Sequence, residues 1–111
     1  VTSIKEFLEL QKELDDFILE STEIEIPKKT LLTDTLLALS VEVSELANAT
    51  RSFKHWSRKG PMKREMILEE YIDIFHFFLS AGNQLGFKAD EIEKMYYRKR
   101  QININRQHED Y

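Results

Sequence analysis

Apolar residues recur at intervals of three and four through most of this chain, the spacing that lines one face of an α-helix. In the first segment Ile4, Phe7, Leu8, Leu14, Phe17 and Ile18 follow that period, which fades by Leu19. Ser3 followed by Glu6 predicts where this helix begins, the hydroxyl taking up one free amide and the carboxylate reaching back to another. Between Glu20 and Lys29 the period is lost, and Ser21, Thr22 and Pro27 surround an alternation at Ile24 and Ile26 that predicts an extended connector. From about Leu31 to Arg51 the positions Leu32, Leu36, Leu39, Val43, Leu46 and Thr50 step by four and three, predicting a second helix with one buried stripe. Phe53 to Pro61 breaks the period and closes on Gly60-Pro61, a strong punctuation pair. A third helix is predicted from near Met62 to Leu85, with Gly86 as its left-handed stop. Asp90 with Glu93 predicts the cap of a fourth, whose apolar side is Ile92, Met95, Tyr96 and Ile102. Four helices joined by mostly short connections predict an all-α four-helix bundle, one domain spanning residues 1–111 with no internal repeat.

Composition narrows the chemistry. At 111 residues a single core buries roughly 65% of the surface the unfolded chain exposes, so folding requires neither a metal nor a disulfide. There is no Cys, hence no thiolate metal site and no cysteine nucleophile, and carboxylates, His, Lys, Arg and hydroxyls are left for any reaction. A net charge of -4 argues against nucleic-acid binding, which needs a basic excess. No apolar run approaches the roughly 18 residues of a membrane span, and the segment Val1 to Glu6 has no signal-peptide core. These features predict a soluble, cytoplasmic protein.

Two spacings carry the most information. Glu42 and Glu45 lie within the second predicted helix and Glu70 and Asp73 within the third, each pair at i and i+3 on one face. Opposed across a bundle, four such carboxylates repel one another strongly unless cations neutralise them. Acidic pairs are also common on solvated helix faces, and 20 acidic residues in 111 make chance pairs frequent. Here the surroundings favour a site: Ala38 and Ala49 flank the first pair, and Ile67, Leu68, Tyr71, Ile72, Ile74 and Phe75 surround the second. All-oxygen ligation suits a hard cation such as Mg²⁺. A di-iron centre needs two carboxylate-x-x-His steps, and only Asp73 with His76 forms one, Asn48 standing where the other would need His.

Gln11 and Asp15 share the helical phase of Ile4, Leu8 and Ile18, so polar side chains interrupt the buried stripe of the first helix. They serve either to bond a neighbouring helix or to read the edge of a base. The loop Arg51-Ser52-Phe53-Lys54-His55-Trp56-Ser57-Arg58-Lys59 combines cations with the single Trp, as a nucleotide-stacking loop or as a solvated connector anchored by its aromatics. Lys99, Arg100 and Arg106 could close over an anion or simply complement the dipole of the last helix.

Together these strings resemble the dimeric dUTPase family, within the MazG-like all-α nucleoside triphosphate pyrophosphatases. The superfamily pattern ExxE followed by ExxD is matched by Glu42, Glu45, Glu70 and Asp73. Around it, Leu10-Gln11 with Leu14-Asp15, Glu45-Leu46-Ala47-Asn48, Arg51 to Ser57, Leu68 to Phe77, Leu79-Ser80-Ala81-Gly82 and a tail with Lys99, Asn103 and Arg106-Gln107 are all similar to that family. The resemblance implies hydrolysis of dUTP to dUMP and pyrophosphate, with more than one Mg²⁺ ion, by a homodimer. It implies Glu42, Glu45, Glu70 and Asp73 as metal ligands and catalytic residues; with the ions bound, one ligand carboxylate, with Glu42 favoured, could accept the proton of the attacking water. It further implies Gln11 and Asp15 as readers of the base, Trp56 in the nucleoside pocket, Lys54, Lys59, Lys99 and Arg106 on phosphates, and His76, Phe77 and Asn103 near the sugar or base. The chain departs from the pattern at Asp110, where Gly is expected before Tyr111, and lacks the long insertions of larger members. A pyrophosphatase of broader nucleotide range and a non-catalytic helical interaction module remain as alternatives.

Overall fold

In a computed structural model that describes residues 2–109, the chain forms four helices: α1 (Ile4–Thr22), α2 (Lys28–Thr50), α3 (Arg64–Gln84) and α4 (Ala89–His108). No strand occurs among the described residues, and no helix there is long and apolar enough to cross a membrane. Asp110 and Tyr111 lie outside the described residues. The all-α prediction therefore holds. The most extensive packing joins α2 to α3, α1 lies against α3, and α4 meets α1 alone.

Helix ends follow local chemistry, and three of them differ from expectation. Ser3 caps α1 as predicted, its Oγ accepting from the Glu6 amide at 3.2 Å. The helix does not fade at Leu19 but continues to Thr22, whose hydroxyl donates to the Ile18 carbonyl at 2.8 Å. Glu23 then turns left-handed at φ 55°, and Pro27 starts α2, so the connector is much shorter than the Glu20–Lys29 expected. At the end of α3, Gly86 adopts φ 77° as anticipated. Its amide donates to Asn83 O at 3.1 Å and that of Phe87 to Gly82 O at 3.0 Å, the paired bonds of a Schellman stop. The cap of α4 is not Asp90 with Glu93 but Lys88 with Glu91, whose Oε1 accepts from the Lys88 amide at 3.1 Å. Capping depends on which residue first leaves helical geometry, and the Gly86 turn delivers the chain two residues earlier.

The core is small. Leu8, Ala49, Leu79 and Ala81 are its buried apolar residues, joined by buried Gln11, Thr35 and Ser80. Cross-helix hydrogen bonds supplement it: Asn83 Nδ2 donates to Leu8 O at 2.9 Å, and Gln84 Nε2 donates to Thr35 Oγ1 at 2.8 Å. The stripe of α2 also differs from expectation. Thr35, Glu42 and Ala49 turn inward, whereas Leu36 and Val43 are 47% and 50% exposed, because α3 covers only one of two apolar faces of this helix. No residue of α4 is buried. The radius of gyration is 17.4 Å, against roughly 13–14 Å for a compact chain of this length.

Gly82 lies inside α3, and a Cβ there would meet Leu8 Cδ2 at 3.8 Å, ordinary van der Waals contact. Gly82→Ala is expected to raise unfolding free energy by about 0.5–1 kcal/mol, since a mid-helix glycine loses more backbone entropy than alanine. Urea denaturation followed by circular dichroism measures this, and a lower midpoint would show that the α1–α3 contact cannot absorb a methyl.

Candidate active site

The inward face of α2 carries Glu42 between Thr35 and Ala49, and α3 presents Glu70 and Asp73 on neighbouring turns, all three half-buried, while Glu45 is exposed. Glu42, Glu45 and Glu70 can each offer a carboxylate oxygen within 4.8 Å of the others. Glu42 Oε2 and Glu70 Oε2 are sealed from solvent and have no hydrogen-bond partner. Orphaned carboxylate oxygens carry a desolvation cost that a cation would offset. Burial pushes the Glu42 carboxyl up from its ordinary range, with the charges of Glu45, Asp73 and Glu70 adding to it. Burial likewise raises Glu70, followed by the charges of Glu45, Asp73 and Glu69. Asp73 thus belongs to the same electrostatic cluster although it is not among the three convergent carboxylates.

An all-oxygen set with unpaired buried oxygens and mutual repulsion fits a hard divalent cation. The repulsion also has a thermal signature. A carboxyl whose folded-state pKa is raised contributes stability that is complete below its unfolded value near 4.5 and is lost as pH rises through the shifted value. Glu70→Gln is therefore expected to melt above the parent protein at pH 7 without divalent cation, the gap closing as pH falls toward 4.5. Mg²⁺ should raise the parent's melting temperature at pH 7 and leave that of the variant nearly unchanged. Scanning calorimetry across pH with and without Mg²⁺ reads both effects.

Between α1 and α3, Gln11, Asp15 and His76 form a chain of hydrogen bonds. Gln11 is 5% exposed, its Nε2 donates to Asp15 Oδ1 at 2.9 Å, and its Oε1 lies 2.6 Å from His76 Nδ1. His76 follows Asp73 by one turn of α3 and ties Gln11 of α1 to that helix. Phe77 is half-buried and lines a separate groove with Leu8, Asp15 and Ser80, into which none of the four carboxylates opens.

The loop after α2 is organised by a residue that sequence reasoning did not single out. Arg51 closes the helix in the left-handed region at φ 55°, and its side chain spans the loop, Nε donating to Lys59 O at 3.0 Å and Nη2 to Ser57 Oγ at 2.8 Å. Its position as the first non-helical residue before a serine-rich cationic loop was the available signal. Within the loop Trp56 is 69% exposed, with the Phe53 and His55 rings edge-on to it at 6.2 and 5.2 Å. Lys54 Nζ stands 5.5 Å from the Phe53 ring centroid. Lys59 is exposed and contributes its carbonyl to the Arg51 bond. Lys99 and Asn103 line a shallow depression on α4 with Tyr96, Arg100, Ile104 and Gln107, and exposed Arg106 lies on the same helix. Among the described residues α4 packs on α1 and on neither α2 nor α3, the helices that carry the carboxylates.

Two comparisons with known proteins bear on this arrangement. The dUTPase family model matches residues 3–86 and 78–111. The dCTP pyrophosphatase of Enterobacteria phage T4 is 48% identical over 58 residues, 52% of this chain but only 34% of that protein, so the chain spans about a third of that relative's length.

Proposed function

The chain belongs to the dUTPase family, and from that premise we propose that it is a Mg²⁺-dependent nucleoside triphosphate pyrophosphohydrolase that converts dUTP to dUMP and pyrophosphate. The observation that carries this reading is the convergence of Glu42, Glu45 and Glu70, with Asp73 adjacent, on two buried oxygens that lack any partner. These four residues would hold the cations. Bound Mg²⁺ would supply charge neutralisation on the triphosphate and lower the pKa of the attacking water. Glu42, with its raised pKa, is suited to accept that water's proton. Exposed Trp56 offers a ring on which a base or sugar stacks, while Lys54 and Lys59 place positive charge on the same loop for the phosphates. No covalent nucleophile is invoked, since Cys is absent.

The working form is a homodimer. Leu36, Leu37, Val41 and Val43 on α2 and Tyr96 and Tyr97 on α4 are all exposed in one chain, an apolar area that a second copy would cover. Such pairing would also give Lys99 and Asn103, on a helix that packs on neither α2 nor α3 among the described residues, a route to a carboxylate cluster. A second reading has one specific support: the similarity to a dCTP pyrophosphatase favours a pyrimidine site that extends to dCTP.

The test is pyrophosphate release from dUTP, dCTP, dTTP, dATP and dGTP with Mg²⁺. Turnover of dUTP ahead of the rest is the expected result. Turnover of several nucleotides supports the broader reading, and turnover of none would sink both. Light scattering of the eluted protein measures the dimer, and a monomeric mass would refute the assembly.

A further inference from the structure

The loop between α2 and α3 hangs on one residue. Arg51 ends α2, its amide donating to Ala47 O at 3.0 Å, and its carbonyl accepts from the Lys54 amide at 3.0 Å. Its guanidinium then crosses the loop to Ser57 Oγ and Lys59 O. Ser57 Oγ also accepts from the Lys59 amide at 3.2 Å, and the Ser57 amide donates to Lys54 O at 2.9 Å. Trp56 is therefore bracketed, since Lys54 before it and Ser57 after it are both bonded to Arg51. The Trp56 ring is exposed and has little burial of its own to hold it.

The left-handed turn at Arg51 is one that glycine makes without steric cost, but glycine would form none of the side-chain bonds. Lysine would not replace them either. Nε and Nη2 belong to a rigid planar fork that meets two acceptors at once, whereas an ammonium is a single flexible point. Between Arg51 and Arg64 there is no acidic residue, so hydroxyl and carbonyl oxygens shape the segment and the charges of Lys54, Arg58 and Lys59 stay uncompensated within it. The segment joins the two helices that carry the acidic cluster, Glu45 standing six residues before Arg51 and Glu70 six residues after Arg64.

Resting on the proposed function above, in which this loop meets the nucleotide, we propose that Arg51 is a positioning residue whose clasp on Ser57 and Lys59 presents Lys54 and Trp56 in one arrangement before any ligand arrives. Arg51 need not touch the nucleotide. A loop ordered in advance costs no binding free energy for its own ordering, and losing that order weakens ground-state and transition-state binding alike. Arg51→Lys keeps the charge and the backbone turn but not the fork, and Ser57→Ala removes the acceptor that Arg51 and the Lys59 amide share. Trp56 is the single tryptophan, so its fluorescence anisotropy decay reads the loop with no ligand present. Both variants are expected to show wider local motion of that ring with unchanged helical circular dichroism. Their dissociation constant for inorganic triphosphate with Mg²⁺, measured by calorimetry, and their KM for dUTP should rise about tenfold while kcat stays within about twofold. Ser57→Thr, which keeps the hydroxyl, should match the parent. The combined variant should be little worse than either single one, because both break the same clasp. Parental anisotropy or parental affinity in Arg51→Lys, or effects that multiply in the combined variant, would overturn the proposal; if Arg51→Lys loses helix, Ser57→Ala decides by the same readouts. A parent that binds Mg²⁺ triphosphate with this dependence on Arg51 and Ser57 but hydrolyses no nucleotide would refute the proposed function and leave the clasp in place.

Discussion

Glu45→Ala and Asp73→Ala are each expected to lower Mg²⁺-dependent pyrophosphate release by at least about 10²–10³-fold, the scale on which losing one preorganised electrostatic contact to a transition state falls. The reason is visible in the charges. Glu45 contributes an oxygen within 4.8 Å of those from Glu42 and Glu70, and the charge of Asp73 reaches both buried carboxyls. If the carboxylates hold the cations as proposed, removing either leaves less negative charge to bind them and to align a triphosphate. Both variants should keep their helical circular dichroism, because Glu45 is exposed and the alanines relieve repulsion. Near parental turnover in either variant would mean that the catalytic cations, if any, bind elsewhere.

Leu79→Ala is the structural counterpart, with an expected loss of about 2–5 kcal/mol in unfolding free energy. Leu79 is 2% exposed and one of only four buried apolar residues among those described, so little surrounding side-chain volume can collapse into the space it leaves. Against a total stability of about 5–15 kcal/mol for a domain, such a loss takes up much of the margin. Urea titration should therefore show a large drop in midpoint, with activity lost only as the helical signal is lost. That dependence separates it from Glu45→Ala, in which activity should vanish while the fold remains. A change under about 0.5 kcal/mol would show that Leu79 contributes little to the core.

Much of the architecture could be read along the chain because helix formation is local. The period of three and four located all four helices, Ser3 with Glu6 marked the first turn of α1, and Gly86 marked the stop of α3. The carboxylate pairs were legible for the same reason, since i and i+3 share a helix face whatever packs on it. What failed was the choice among local options that tertiary contacts decide. Thr22 extends α1 past the point where its apolar pattern ends, and Lys88 rather than Asp90 begins α4, because the chain's path at Glu23 and Gly86 sets each boundary. Leu36 and Val43 fitted a buried stripe by spacing alone, but α3 settles on the face of Thr35, Glu42 and Ala49, and Gln84 of α3 bonds Thr35 there.

The sequence by itself determined the helices, the absence of thiol chemistry and the two acidic faces, all properties of spacing or composition within a single segment. Only the tertiary structure decided that Glu42 and Glu70 bury an oxygen each without a partner, which requires two helices to close on one another. It also joined Gln11 on α1 to His76 on α3, and wrapped Arg51 around the loop to Ser57 and Lys59. Hydrogen bonds of that kind depend on distances that packing sets, and no periodicity along a chain encodes which polar group will stand opposite another.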